Sequence, residues 1–390
     1  MKILGIESSC DETAAALLEV KDGRFEVLNN VVWSQTEIHK KYGGVVPEVA
    51  ARQHVESINL VIEEVLGKVM KPDLIAVTKG PGLITSLSVG VQAAKTLSYS
   101  WQIPLIGVNH LEGHLWSFLL NNKSQAPISP ALPGQAKKVS NSKSQDKNKF
   151  VNWKLSPFAL RASEDKEIGN CLPAVVLIVS GGHTELVLVK EVGRYKLIGQ
   201  TLDDAVGEAF DKVAKMLNLG YPGGPIVAHF AKSGNAEAIK FPRPMLKSDD
   251  FDFSFSGLKT AVKYHLQNMT QTGGLSRAYT NDICASFQQA VIEVLVDKTI
   301  RAAQKFKAKS IILGGGVSAN EQLIKNLDLK TKESELDFYF PEKWLTGDNA
   351  AMIALAGYFN AKKSSPLRPR SEASKNTWKT LTADANLRLV

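Results

Sequence analysis

Two stretches of this chain repeat one pattern, and the repeat restricts the fold more than any single motif does. Residues 2–7 (KILGIE), 13–19 (TAAALLE) and 25–32 (FEVLNNVV) predict three short strands, the first two joined by the polar turn SSCD. Residues 174–180 (AVVLIVS), 185–190 (ELVLVK) and 195–200 (YKLIGQ) predict the same trio, with GGHT as its first turn. Each trio runs on into alternating helices and strands. In the first half the pattern predicts a helix near 47–68, a strand at 74–78, a helix at 84–100 and a strand at 105–109. In the second it predicts helices near 204–217 and 279–308, a strand at 310–313, a helix from about 318, a short strand at 337–340 and a helix at 348–360. A mixed sheet with crossover helices, present twice, implies two α/β domains facing one another across a cleft.

The expected domains are residues 1–120, completed by the helix near 348–360, and residues 172–347. Length agrees, since 390 residues suit two domains. A 44% hydrophobic and 22% charged composition excludes collagen-like, wholly disordered and coiled-coil chains. Cys10, Cys171 and Cys284 are odd in number and far apart, which fits neither a disulfide framework nor a CxxC zinc site and points to a reducing cytosol. Glu7 and Asp11 interrupt the N-terminus before a signal-peptide apolar run, and no stretch approaches 18 uncharged apolar residues. The expectation is a cytoplasmic protein that neither enters nor crosses a membrane.

The net charge of +8 is unevenly spread. Residues 121–171 carry nine Lys/Arg against four Asp/Glu, and residues 360–390 carry seven against two. Each segment therefore contributes +5, leaving about −2 for the rest of the chain. A polyanion would be held by the insert or the tail rather than by a uniformly basic body, unless both are simply solvated. Residues 121–171 are rich in Ser, Lys, Asn, Gln and Pro, and read as a disordered insertion. Residues 361–390 read as an irregular basic tail, with Pro366 and Pro369 opposing a helix.

In NHLEGHLW, His110 and His114 stand four apart just after a strand. On a helix both imidazoles share one face, about 5–6 Å apart at Cβ, which suits two metal ligands as well as two packed histidines. A metallopeptidase would need HExxH, but Glu112 lies two residues after His110, off that face. Asp348, in TGDNAAM, falls at a predicted helix N-terminus, where a carboxylate is favoured as a cap and is also placed to complete a ligand set. Three glycine-rich turns, VSGGHTE (179–185), LGYPGGP (219–225) and ILGGGVSAN (312–320), are read as following strands. With the acidic turn that carries Asp11 and Glu12, they point to a nucleotide site. No GxxxxGK[ST] is present, and VTKGPGLITS lacks the third glycine and the later acid of a dinucleotide fingerprint. Asp204, Glu208 and Asp211 fall at i, i+4 and i+7, one face of the predicted helix, as a solvated face or as acceptors for hydroxyl groups. No serine or cysteine triad can be assembled.

The ordered set IESSCDETAAA, YGGVVPEVAARQH, TKGPGLITSLSVG, NHLEGHLW, LIVSGGHTEL, TLDDAVGEAFDKVAKML, YPGGP, FSFSGLKTAV, GGGVSAN and TGDNAAM closely resembles the TsaD family of tRNA N6-adenosine threonylcarbamoyltransferases. The resemblance covers nearly the whole chain outside 121–171 and the last thirty residues. It implies a duplicated actin-like ATPase and sugar kinase fold. It also implies transfer of threonylcarbamoyl from threonylcarbamoyl-AMP to N6 of the adenosine 3′ to the anticodon, in tRNAs reading codons that start with A, with release of AMP. Through it, His110, His114 and Asp348 match the family's ligands to one divalent metal, iron first and zinc second. Ile178, Val179, Ser180, Gly181, Gly182, Asp211, Gly224 and Asn320 match positions that bind the adenylate. Asp11 and Glu12 fall on the first phosphate turn and are the candidate catalytic positions. Implied partners are tRNA, a TsaB-like subunit of related fold, a small TsaE-like ATPase and an enzyme supplying the adenylate.

Two departures stand out: the 121–171 insertion, where relatives have a shorter link, and Ala228, where some relatives carry an acid. The competing readings are a metallopeptidase of the glycoprotease type and a non-catalytic, nucleotide-dependent actin-like scaffold.

Overall fold

The computed structural model describes residues 1–67, 71–120, 164–270, 276–364 and 377–389. Strands β1 (Lys2–Glu7), β2 (Glu12–Lys21) and β3 (Arg24–Ser34) form an antiparallel meander that β4 (Leu74–Gly80) and β5 (Leu105–Asn109) extend in parallel, in the order β3-β2-β1-β4-β5. Strands β6 (Ala174–Val179), β7 (Thr184–Glu191), β8 (Arg194–Gln200), β9 (Ser310–Gly314) and β10 (Asp337–Tyr339) form the second sheet, in the order β10-β9-β6-β7-β8. Reversed, that order matches the first strand for strand, including two antiparallel and two parallel pairings. The duplication read from the strand trios therefore extends to sheet topology.

The first half carries helices α1 (Thr36–Lys40), α2 (Pro47–Leu66), α3 (Ile84–Trp101) and α4 (His110–Trp116). The second carries α5 (Glu164–Cys171), α6 (Val206–Met216), α7 (Gly223–Ala231), α8 (Ser256–Thr270), α9 (Arg277–Lys305) and α10 (Glu321–Glu333), and α11 (Ala350–Ser364) returns to the first sheet. Alternation on β1 explains the layers, because successive side chains leave opposite faces of a strand. Leu4 and Ile6 join Ile58, Ile62 and Val91 of α2 and α3, whereas Ile3 joins Met352, Ile353 and Leu355 of α11. A Cβ on Gly5 would stand 2.1 Å from the Ala350 carbonyl oxygen, so α11 rests directly on the β1 backbone.

Helix α4 is held from both sides. Leu111, Leu115 and Trp116 share one core with Ile178, Val187 and Ile312 of the second sheet and with α11. A Cβ on Gly314 of β9 would stand 2.7 Å from the His114 carbonyl oxygen.

Several sequence expectations need correction. The stretch read as insertion, 121–171, ends in helix α5, where Ile168 and Cys171 are buried; residues 121–163 lie outside the described residues. The basic tail is in part docked. Thr377–Thr380 is a helical turn, Thr377 Oγ1 donates to the Leu105 carbonyl (2.7 Å) and Asp384 N donates to the Lys79 carbonyl (2.7 Å). Pro366 and Pro369 lie outside the described residues. LGYPGGP follows helix α6, not a strand, and opens α7. Helices α7 and α8 were not anticipated. Asp204 precedes α6 instead of lying on its face, and is paired with Lys212 (2.9 Å) and Lys259 (2.6 Å). No described helix is long and apolar enough to cross a membrane.

Candidate active site

The site begins at the C-terminal end of β5. Asn109 caps α4 by accepting from Leu111 N (2.9 Å), which sets the first helical turn at His110. One turn later His114 faces the same way, and the two rings meet edge to face with centroids 4.7 Å apart. Asp348 lies just before α11, whose cap is Asn349, accepting from Met352 N (3.1 Å). With capping assigned to its neighbour, the Asp348 carboxylate turns to the histidines: Oδ1 is 3.4 Å from His110 Nε2 and 3.1 Å from His114 Nε2.

These three side chains are the group among the described residues whose donor atoms lie close enough to share a cation, all within 4.8 Å of one another. Bonds of about 2.0–2.2 Å at tetrahedral or octahedral angles separate neighbouring donors by about 3.0–3.4 Å, close to the two spacings to Asp348. Two imidazoles and one carboxylate suit a first-row divalent ion and leave further coordination positions open. The chemistry of the donor set and its two spacings to Asp348 therefore fit a metal ion.

Behind His110 stands Glu7, at the end of β1 and fully buried. His110 Nδ1 donates to Glu7 Oε2 (3.0 Å), which also accepts from Thr78 Oγ1 (2.7 Å), while Oε1 accepts from Ser9 N (2.5 Å). This carboxylate fixes the imidazole tautomer and leaves Nε2 directed at the triad. Burial opposes charge throughout the cluster. Even so, the Asp348 and Glu7 carboxylates hold the His110 imidazole well above its ordinary pKa, and His110 and His114 hold the Asp348 carboxyl well below its own. Burial keeps His114 below the usual histidine value. It pushes His183, in the SGGH turn, down to about 4, helped by His110 and His114.

The acid turn joins β1 to β2 beside the triad. Burial, then Asp11 and Asp348, pushes the Glu12 carboxyl well up, which favours its protonated form. A buried relay supports this turn: Ser57 Oγ donates to Thr13 Oγ1 (2.8 Å), Thr13 Oγ1 to His54 Nδ1 (2.8 Å) and His54 Nε2 to the Cys10 carbonyl (3.0 Å). Sequence reasoning missed both Glu7 and His54. ESSCDE and ARQH are quoted in the family motifs, but nothing local marks either residue as a partner of the site.

The second half supplies the facing wall. Ser180, Gly181 and Gly182 follow β6, and a Cβ on Gly181, Gly182 or Gly224 would meet nothing within 4 Å. Asp211 accepts from Gly223 N (2.6 Å). Burial raises its pKa, and the Asp11 carboxylate of the first-half turn adds to the rise. Ile178 and Val179 put fully buried side chains into the core, leaving only backbone to meet a ligand. Asn320 is committed to capping α10, accepting from Gln322 N (3.0 Å) and Leu323 N (3.1 Å), and donates to Gln288 Oε1 (2.8 Å).

Comparison with known proteins bears on this arrangement. The family model for TsaD, tRNA N6-adenosine threonylcarbamoyltransferase, matches residues 26–159 and 155–355. The tRNA N6-adenosine threonylcarbamoyltransferase of Clostridioides difficile (strain 630) is 44% identical over 361 residues, 92% of each chain. The chain belongs to this family. An enzyme of the same name from Clostridium perfringens (strain 13 / Type A) is 44% identical over 392 residues, covering 99% of this chain and 98% of that one. Among solved structures, full-length HypF in a phosphate- and nucleotide-bound form superposes with TM-score 0.52 at 13% identity, over 95% of this chain and 56% of that one. HypF of T. kodakarensis superposes with TM-score 0.52 at 14% identity, over 94% of this chain and 48% of that one. These likenesses place the chain in the duplicated, two-domain actin-like α/β fold. Family membership brings a tRNA-modifying transferase with a metal ion, for which the two histidines and Asp348 are the candidate ligands.

Proposed function

We propose that the cleft between the sheets is where the transfer occurs. The domains are residues 1–120 with the helix near 348–360, and residues 172–347. As a member of its family, the enzyme passes the threonylcarbamoyl group of threonylcarbamoyl-AMP to N6 of the adenosine 3′ to the anticodon, in tRNAs reading codons that start with A. AMP leaves. The observation that carries the site assignment is the approach of His110 Nε2, His114 Nε2 and Asp348 Oδ1 beside the acid turn, facing glycines with open space above them.

His110, His114 and Asp348 hold the divalent ion, Fe2+ before Zn2+. Bound there, such an ion supplies Lewis-acid stabilisation of charge on the carbamoyl and phosphate oxygens. The rest of the work falls to the chain itself. Gly181, Gly182 and Gly224 admit the adenylate close to backbone N–H groups, as phosphate-binding turns do. Asp11 and Glu12 border the phosphate from the acid turn, where a cation held by Asp348 would offset their charge. Asp211 accepts from a ribose or threonine hydroxyl with the oxygen not taken by Gly223. N6 of adenine is a poor nucleophile, so orientation and the loss of AMP supply much of the rate. The acceptor base reaches the cleft unstacked from its loop, as selective RNA chemistry requires. The TsaB-like subunit, the TsaE-like ATPase and the adenylate-forming enzyme complete the system in the cytoplasm.

The peptidase reading loses its base. Glu112 is buried and accepts from Tyr195 Oη, Asn360 Nδ2 and Lys363 Nζ, so it is not free to activate water. The test is to incubate the protein and its partners with threonylcarbamoyl-AMP and unmodified tRNA, digest the tRNA, and measure threonylcarbamoyladenosine by mass. Wild type yields the nucleoside, and His110→Ala loses both bound ion and product. Product formation indifferent to His110, His114 and chelators would refute the metal assignment.

A further inference from the structure

Between α1 and α2 the chain makes a tight turn, Lys40 to Val46, that belongs to no part of the chemistry above. It is built, not loose. Buried His39 donates from Nε2 to Gln35 Oε1 (3.1 Å) and accepts from Val46 N at Nδ1 (3.3 Å), which ties the end of the turn to its start. Tyr42 N donates to the His39 carbonyl (2.9 Å) and Gly43 N to the Lys40 carbonyl (3.2 Å), and Gly43 sits at φ +68°, a conformation that favours glycine.

What this frame presents is unusual for a surface turn. Tyr42 is 49% exposed, with Lys41 Nζ 5.1 Å from its ring centre. Lys215, on α6 of the other half, has its Nζ 3.8 Å from where a Cβ on Gly43 would stand. Neither Lys41 nor Lys215 has an acidic partner among the described residues, whereas Lys40 is paired with Glu37 (3.6 Å). The turn and α6 thus meet at the cleft mouth, with Lys215 one helical turn from Asp211, and the turn's anchor Gln35 donates from its N to the Asp11 carbonyl of the acid turn (3.0 Å).

Outside its two basic segments the chain carries about −2, so no diffuse positive field draws RNA to this mouth. At the mouth itself the groups able to engage RNA are local cations and a flat ring, beside whatever the basic insert and tail contribute elsewhere. We propose that the Lys40–Val46 turn, with Lys215 opposite, is a lip that receives the single-stranded part of the tRNA anticodon loop. Tyr42 stacks on a base, and Lys41 and Lys215 contact backbone phosphates. The lip rests on the transfer reading of this cleft and adds to it the surface that presents the acceptor strand. Because the turn is preformed, little ordering entropy opposes binding.

The experiment is the reconstituted transfer assay with the full chain and its partners. The apparent KM for unmodified tRNA and for threonylcarbamoyl-AMP is measured across a series of salt concentrations. Tyr42→Ala is expected to lower kcat/KM for tRNA by roughly 5- to 150-fold, the range for loss of one stacked base, and to leave KM for the adenylate and bound metal unchanged. Tyr42→Phe is expected to restore the wild-type value, since stacking needs the ring and not the hydroxyl. Lys41→Ala with Lys215→Ala is expected to flatten the plot of log kcat/KM against log salt by about 0.7 per lost phosphate contact. An active wild type whose variants keep tRNA KM and salt slope would overturn the lip and leave the transfer reading standing. A wild type that makes no modified nucleoside would overturn both. A rise in adenylate KM, or a fall in metal content, as large as the tRNA effect would mark Tyr42 as structural and overturn the lip.

Discussion

The Tyr195 hydroxyl donates to Glu112 Oε1 across 2.6 Å, joining strand β8 of the second half to the helix that carries both site histidines. The same carboxylate accepts from Asn360 Nδ2 (2.8 Å) and Lys363 Nζ (3.3 Å) of α11, the helix that follows Asp348. Glu112 therefore clasps three segments on the side of α4 opposite the triad. Glu112→Ala takes the acceptor from the half-buried Tyr195 phenol and is expected to cost about 1–3 kcal/mol. A shift in the denaturant midpoint checks this, and an unchanged midpoint would show that the contacts contribute nothing.

Glu7→Gln keeps an acceptor for His110 Nδ1 but removes the charge behind it. Loss of such a supporting carboxylate typically weakens metal affinity by about 10- to 100-fold. Competition against a chromophoric chelator reads this directly. Equal affinity in wild type and variant would remove Glu7 from the site.

Asp204 offers a pH-dependent test away from the metal. Burial disfavours its charge, but Lys259 and Lys212 more than offset that, so its folded pKa lies below the ordinary value. A group depressed in this way stabilises the fold fully above its unfolded pKa, near 3.9, and loses that contribution as pH falls through the folded value. Asp204→Asn is expected to cost about 1 kcal/mol at neutral pH and progressively less in acid. Unfolding midpoints of both proteins on a pH series would expose the error if the gap failed to narrow.

Gly5→Ala places a methyl group 2.1 Å from the Ala350 carbonyl oxygen, and backbone cannot yield as a flexible side chain can. Overpacking of this kind costs about 1–3 kcal/mol or more. The displaced element is the helix next to Asp348, so reduced metal content is expected beside the lower melting temperature. Retention of both would mean that α11 slides freely on β1.

The sheets were readable because each trio alternates or runs apolar over lengths typical of strands, and His110 and His114 because their spacing is local. Helix α7 hid behind Gly-Gly-Pro, a breaker signal that here only marks its start. Asp204 was misassigned because periodicity does not say where a helix begins. Glu7 could not be read as a partner of the site, since its histidine lies 103 residues away and the carboxylate ends the apolar run 3–6 of its strand. Spacing finds contacts along one helix, not those between distant strands and helices.

The seat of His114 against Gly314 makes the proposed centre a seam. The candidate ligands come from the first half and from just before the helix that returns to it, but the floor beneath them is the second sheet. Neither half produced as a separate polypeptide would own a finished centre. Mixing the two pieces should regain metal affinity only to the extent that they re-form this joint.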